Sequence, residues 1–230
     1  MGLIPLKIAK HNTRFFGLCD SFASGVFLST ALLHMLPESA EKFNAIYSGH
    51  YPLAYLICII TYIAFLAMER GASIYKNIYL ANSKIIVPGF LITLLAIHSL
   101  VEGAAIGVNT NIIEALAIFL AVFAHKSSES FALTVNMHRF DISTKIIKRT
   151  IALFSLMTPL GIFIASYVVH ASQTNSGGLL TANLNAIAAG TFLYLGVEHL
   201  VEGKTSFAKV QETTALITGV ALMAVVAIWV

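Results

Sequence analysis

The sequence predicts an all-α protein that crosses a membrane several times. Of its 230 residues, 57% are hydrophobic and only 11% are charged, whereas a soluble domain usually carries about 25% charged residues. Its mean hydropathy is +0.82. An apolar run of about 20 residues is long enough to cross a bilayer as a helix. Seven such runs follow one another, at 15–36, 50–69, 85–108, 113–137, 150–170, 180–200 and 211–230.

Each run is predicted to be helical, because lipid offers backbone N–H and C=O groups no other partners. Strands of a membrane β-barrel would alternate in hydrophobicity over about ten residues, and these runs do not alternate. The loops between them are too short for a separate soluble domain. We therefore expect residues 1–230 to form a single transmembrane domain, a polytopic helix bundle in contact with the lipid bilayer.

The positive charges predict the orientation of this bundle, because cytoplasmic loops of membrane proteins are enriched in Lys and Arg. Of the 14 Lys and Arg residues, only Lys42 and Lys126 lie outside the N-terminal segment and alternate loops. This pattern predicts a multi-pass protein of the plasma or inner membrane, with its N-terminus in the cytoplasm and its C-terminus outside. Since the basic residues follow the topology, the net charge of +3 does not indicate a nucleic-acid partner. The oligomeric state stays open, with a homodimer among the alternatives.

Polar residues recur at one spacing inside the third and fourth runs. His98 and Glu102 lie in the third run, and His125 and Glu129 lie in the fourth. Residues four apart share one helix face, with Cβ atoms about 5–6 Å apart. A charge near the bilayer centre costs about 3 kcal/mol on insertion scales and usually marks a pathway. Imidazole and carboxylate suit a divalent transition metal. The four residues therefore predict an intramembrane metal site; the alternative is two intrahelical hydrogen bonds that only stabilise the bundle.

Two further clusters of the same residue types lie at the ends of runs. His34 and Glu38 lie at the predicted outer end of the first run, and Glu198, His199 and Glu202 lie at the predicted inner end of the sixth. Taken singly, such residues are typical of interfacial caps. Taken with the central pairs, they predict the entrance and the exit of a path for a cation.

The motif "HSLVEGAAIG" (98–107), followed by "HKSSES" (125–130) on the next run, resembles the Zrt/Irt-like (ZIP) family of divalent metal transporters. Within that family the chain looks most similar to the subgroup that contains animal plasma-membrane zinc importers. The stretches "LLHMLPES", "MTPLGI" and "AAGTFLYLGVEHL" agree with the family in the same order along the chain. The similarity extends from about Leu3 to the C-terminus.

The resemblance implies uptake of zinc, or of iron, manganese or cadmium, toward the cytoplasm, with no prosthetic group. The two central His and Glu pairs fall on the family's central metal-site positions. Ser99 and Lys126 fall where some members carry ligands for a second metal. Because a hydroxyl and an ammonium are poor ligands, we expect one bound metal. Glu198 and His199 match positions proposed for the inner exit, and His34 lies near the outer entrance.

One departure from the family favours a different function. The family has eight spans, whereas this chain shows seven, with the first absent. The main alternative is therefore a metal-binding sensor or a transport-inactive member of the family, and an exporter with the same ligands is another. An enzyme is not expected. Intramembrane metalloproteases carry His-Glu-x-x-His on one helix, and that string does not occur in the sequence.

Overall fold

The described part of the computed structural model, residues 13–47, 51–79, 86–109, 111–172, 177–198 and 206–228, is helical and contains no strand. One short π-helical segment, Ala31–Met35, interrupts the α-helices. The α-helices are α1 (Thr13–Thr30), α2 (Leu36–Ile46), α3 (Leu53–Tyr79), α4 (Ile86–Gly107), α5 (Ile112–Arg139), α6 (Thr144–Ser155), α7 (Met157–Ser172), α8 (Gly177–Glu198) and α9 (Ser206–Val226).

Five stretches of this part are long and apolar enough to cross a membrane. They correspond to the first, second, third, fifth and sixth predicted runs and cover Gly17–Ile46, Leu53–Gly71, Pro88–Gly107, Thr144–His170 and Gly178–Val197. The fourth run is helical within α5 but is not among the five spans found in the described residues. The seventh run is the shorter apolar helix Val210–Val226. The predicted all-helical class is confirmed, whereas the count of seven spans is not.

Proline explains the two irregular places in the apolar helices. The N–H of Leu36 donates a hydrogen bond to the carbonyl of Ala31. This hydrogen bond closes the wide turn that defines the π segment, and Pro37 follows directly. A proline ring displaces the carbonyl four residues before it, which a wide turn accommodates. Similarly, α6 ends at Ser155 because Pro159 has no N–H to donate to that residue's carbonyl. The fifth predicted run is therefore two helices that meet at Leu156.

Helix α8 lies at the centre of the bundle and contacts α1, the π segment, α2, α3 and α4. Small residues allow this packing, because Ala182, Ala186 and Ala189 are fully buried. A Cβ at Gly190 would overlap the carbonyl of Cys58 on α3. The side chains of α8 at these contacts are small, so the backbones of the neighbouring helices can approach it closely. This is why α8 can contact so many neighbours.

Glycines also bring α4 against α7. A Cβ at Gly103 would overlap the backbone of Thr158, and one at Gly161 would overlap the carbonyl of Leu100. Gly107 meets Ile162 of α7 in the same way. The Gly103 and Gly107 spacing thus serves close helix packing, and this packing fixes one side of the helix that carries His98 and Glu102. The opposite side of α4 faces α5 and α8.

Candidate metal centre

The two central His and Glu pairs meet between α4 and α5. His98 and Glu102 lie on α4, and His125 and Glu129 lie on α5. One candidate ligand atom from each of the four residues lies within 4.8 Å of the other three. All four side chains are buried, with none more than 2% exposed. The predicted grouping of these residues is therefore present in the structure.

Glu102 is the residue that links the two helices. Its Oε1 lies 2.9 Å from Nε2 of His98 and accepts a 2.6 Å hydrogen bond from Nε2 of His125. Oε1 of Glu129 is more distant, at 3.6 Å from Nε2 of His125 and 3.9 Å from Nε2 of His98. Both carboxylates and both Nε2 atoms thus border one small space.

Several polar atoms of this group have no hydrogen-bond partner in the described part of the chain. They are Nε2 of His98, Nδ1 of His125, Oε2 of Glu102 and Oε1 of Glu129. Buried polar atoms are nearly always paired in proteins, because leaving one unpaired costs about 1–3 kcal/mol. Two of these atoms, Nε2 of His98 and Oε1 of Glu129, border the shared space, and a nitrogen and an oxygen of this kind fit the donor set of a divalent transition metal.

Lys126 places a positive charge beside this group. Its Nζ donates a 2.8 Å hydrogen bond to Oε2 of Glu129 and another to Oγ of Ser99. Ser99 Oγ in turn donates to the same Oε2 at 3.2 Å. Nζ also lies 4.3 Å from the ring centroid of Phe154, in a cation–π contact. The side of Glu129 away from the histidines is thus occupied by a lysine of the chain itself.

Two residues of α8 complete the surroundings of His98. Nδ1 of His98 is hydrogen-bonded to Oγ1 of Thr191, which donates a 2.7 Å hydrogen bond to the carbonyl of Ala188. The Phe192 ring stacks on the His98 imidazole, with centroids 3.6 Å apart and planes inclined by 20°. Sequence reasoning missed both residues. Their signal was a threonine inside an apolar run, next to an aromatic residue.

Comparison with known proteins identifies the family. The family model described as ZIP zinc transporter matches residues 1–85 and 79–227, nearly the whole chain. The chain belongs to the ZIP zinc transporter family. Zinc transporter 3 of Arabidopsis thaliana is 25% identical to it, over 96% of this chain and 76% of the relative. Zinc transporter ZIP1 of Takifugu rubripes is 26% identical, over 84% of this chain and 80% of the relative.

Other relatives are matched over a smaller share of their length. Protein zntD of Dictyostelium discoideum is 36% identical over 65% of this chain, which spans only 22% of that protein. The resemblance to the ZIP family is confirmed, whereas the activity of the whole relatives comes to this chain as a proposal.

The pair predicted to lie at the outer end, His34 and Glu38, does not join the central group of this ZIP protein. His34 lies on the π segment and Glu38 lies on α2, with 3.9 Å between Nε2 and Oε2. Both side chains are partly exposed, and Lys42 lies 3.7 Å from the other carboxylate oxygen of Glu38.

The predicted exit residues lie at or beyond the end of α8. Glu198 is the last residue of that helix, and its side chain is outside the described part. His199 and Glu202 are outside the described residues as well. Their assignment to an exit therefore stays a prediction.

Proposed function

We propose that this chain transports a divalent metal ion, zinc in the first place, across a membrane through the central His and Glu group. The observation that carries the proposal is the burial of four candidate ligands around unpartnered nitrogen and oxygen atoms. The relatives named zinc transporters, which match up to 96% of the chain, support the choice of zinc. They do not favour the alternative of a sensor or an inactive member. Iron, manganese and cadmium accept the same ligand types.

The proposed site holds one ion. Its ligands are Nε2 of His98, Nε2 of His125 and the carboxylates of Glu102 and Glu129. A second ion would need the space next to Oε2 of Glu129, and the ammonium of Lys126 is bonded there. All four ligands come from one chain, so the site itself requires no second copy.

The proposed direction is from outside to the cytoplasm, across the plasma or inner membrane, with the N-terminus in the cytoplasm. The outer pair of His34 and Glu38 would attract the incoming ion, and Glu198, His199 and Glu202 would receive it at the inner end. A permeation site must bind an ion strongly enough to admit it and weakly enough to release it. The charge of Lys126 beside the ligands serves release, because it opposes the charge of the ion.

Uptake of radioactive zinc into proteoliposomes tests this proposal. We expect His98→Ala to reduce uptake to the background, while His170→Ala, which removes an exposed histidine of α7, leaves it unchanged. Unchanged uptake by His98→Ala would refute the central site. Stoichiometric zinc binding without flux in the unaltered protein would support the sensor instead. Zinc flux from the cytoplasmic side of the protein to the outside would support an exporter.

A further inference from the structure

We infer that Thr191 is a positioning residue, which selects the tautomer of His98 whose Nε2 can bind the metal. The inference rests on the proposed function, since it concerns the same site. Thr191 itself touches no ion; it acts through the imidazole that it bonds. Its helix, α8, supplies none of the four candidate ligands.

The hydrogen bonds of the threonine hydroxyl fix the direction of its contact with His98. A hydroxyl has one hydrogen to donate, and that of Thr191 is donated to the carbonyl of Ala188 at 2.7 Å. Toward Nδ1 of His98 the oxygen can therefore only accept, so the proton of a neutral imidazole lies on Nδ1. The lone pair then lies on Nε2, the nitrogen that borders both carboxylates.

Nε2 of His98 faces the carboxylates and lies 2.9 Å from Oε1 of Glu102. An unprotonated nitrogen and a carboxylate oxygen repel each other at this distance, and a cation bound between them would turn the repulsion into coordination. By contrast, Nε2 of His125 donates to the same oxygen. The two histidines therefore differ: one presents a free lone pair to the site, and the other must give up a proton from Nε2 before it can bind an ion.

Burial makes Thr191 difficult to replace by water. Both Thr191 and His98 are 0% exposed, and Phe192 covers one face of the imidazole. Nδ1 of His125, in comparison, has no hydrogen-bond partner within the described chain. The ring of His98 is thus held at its edge and at its face by α8, whereas that of His125 has no such partner on its second nitrogen. Groups that orient a ligand in this way typically contribute 10–100-fold to metal affinity.

Zinc titration calorimetry of the purified full chain tests this inference. We expect Thr191→Val, which keeps the shape and removes the hydroxyl, to weaken zinc binding roughly 10–100-fold. Thr191→Ser restores the hydroxyl and should bind as the unaltered protein does. Thr181→Val removes another buried hydroxyl from α8 and should leave the affinity unchanged. Equal affinity of Thr191→Val and the unaltered protein, or an equal loss in Thr191→Ser, would overturn the inference.

The imidazole nitrogen chemical shifts provide a readout that does not depend on metal binding. In metal-free protein labelled with nitrogen-15 at its eight histidines, the His98 signals are those absent from His98→Gln. We expect them to report a proton on Nδ1, and a mixture of tautomers in Thr191→Val. A proton on Nε2 in the unaltered protein would contradict the inference without any variant. Failure of the unaltered protein to bind zinc would instead refute the proposed function.

Discussion

The chain contains three His-x-x-x-Glu pairs with one spacing and two different environments. The pairs on α4 and α5 are buried and converge, so that Glu102 reaches both central histidines. The third pair, His34 and Glu38, which is predicted to be the outer one, is partly exposed and 3.9 Å apart. Helix spacing places two side chains on one face, but only a neighbouring helix with a second pair produces a group of four. The environments differ because the facing helices differ. Helix α8, which packs against α2, offers there the carbonyl of Ala182 as the acceptor of a hydrogen bond from Ser39.

Each region also has a lysine beside one of its glutamates, with different consequences. Lys42 lies 3.7 Å from Glu38, and both side chains contact solvent. Lys126 lies 2.8 Å from Glu129, whose side chain is fully buried. Water screens the first pair, as it does most surface ion pairs, whereas a charge acts more strongly where the surroundings exclude water. Lys126 and Glu129 should therefore control the metal affinity of the central site, whereas Lys42 and Glu38 should have little effect on it.

Removal of a glutamate from each region should show the largest difference. We expect Glu102→Ala to weaken zinc binding by roughly a hundredfold or more, because a ligand is lost and not only its support. Glu38→Ala should change the affinity of the central site by less than about twofold, since an exposed pair contributes little. Calorimetric titration with zinc measures both. Similar losses in the two variants would show that the pairs form one site.

Removal of the lysines should have a smaller effect, in the opposite direction. We expect Lys126→Met to strengthen zinc binding about tenfold, which corresponds to about 1.4 kcal/mol, because a positive charge beside the ion is lost. Release should slow, so the uptake rate at saturating zinc should fall. Lys42→Met is the matched control and should bind and transport zinc normally. Weaker binding by Lys126→Met would mean that the lysine mainly holds Glu129 in place.

Acidification should produce the smallest effect, a fewfold fall in uptake, because protons compete with the metal ion for imidazole and carboxylate ligands. A histidine must be neutral to bind a metal, so binding is favoured at the higher pH. Zinc uptake across a pH series measures this profile. His34→Ala should keep it, because its imidazole is not among the proposed ligands. Loss of the pH dependence in that variant would assign the titration to the outer pair.

The sequence predicted the features that depend on residue type and local spacing. Apolar length predicted the helices, and the His and Glu spacing predicted the four residues that meet between α4 and α5. The role of Thr191 could not be predicted, because a hydroxyl in an apolar run does not indicate which neighbouring helix it faces. The helix break at Leu156 lies three residues before Pro159, since a proline weakens the turn that precedes it. The fourth run is helical within α5 as predicted, but it is not among the five spans found in the described residues.

The π segment Ala31–Met35 has a consequence for the alignment of the first long helix. A π turn contains about one residue more than an α turn, so it acts as an insertion of one residue in a continuous helix. Each residue of an α-helix advances by about 100°. Both α1 and α2 pack against α8. The extra residue turns α2 relative to α1, so that each of the two helices faces α8 with its small and polar side chains. Deletion of Leu33 would remove this offset and rotate Ser39 away from Ala182, so a change of one residue in length would break the hydrogen bond between α2 and α8.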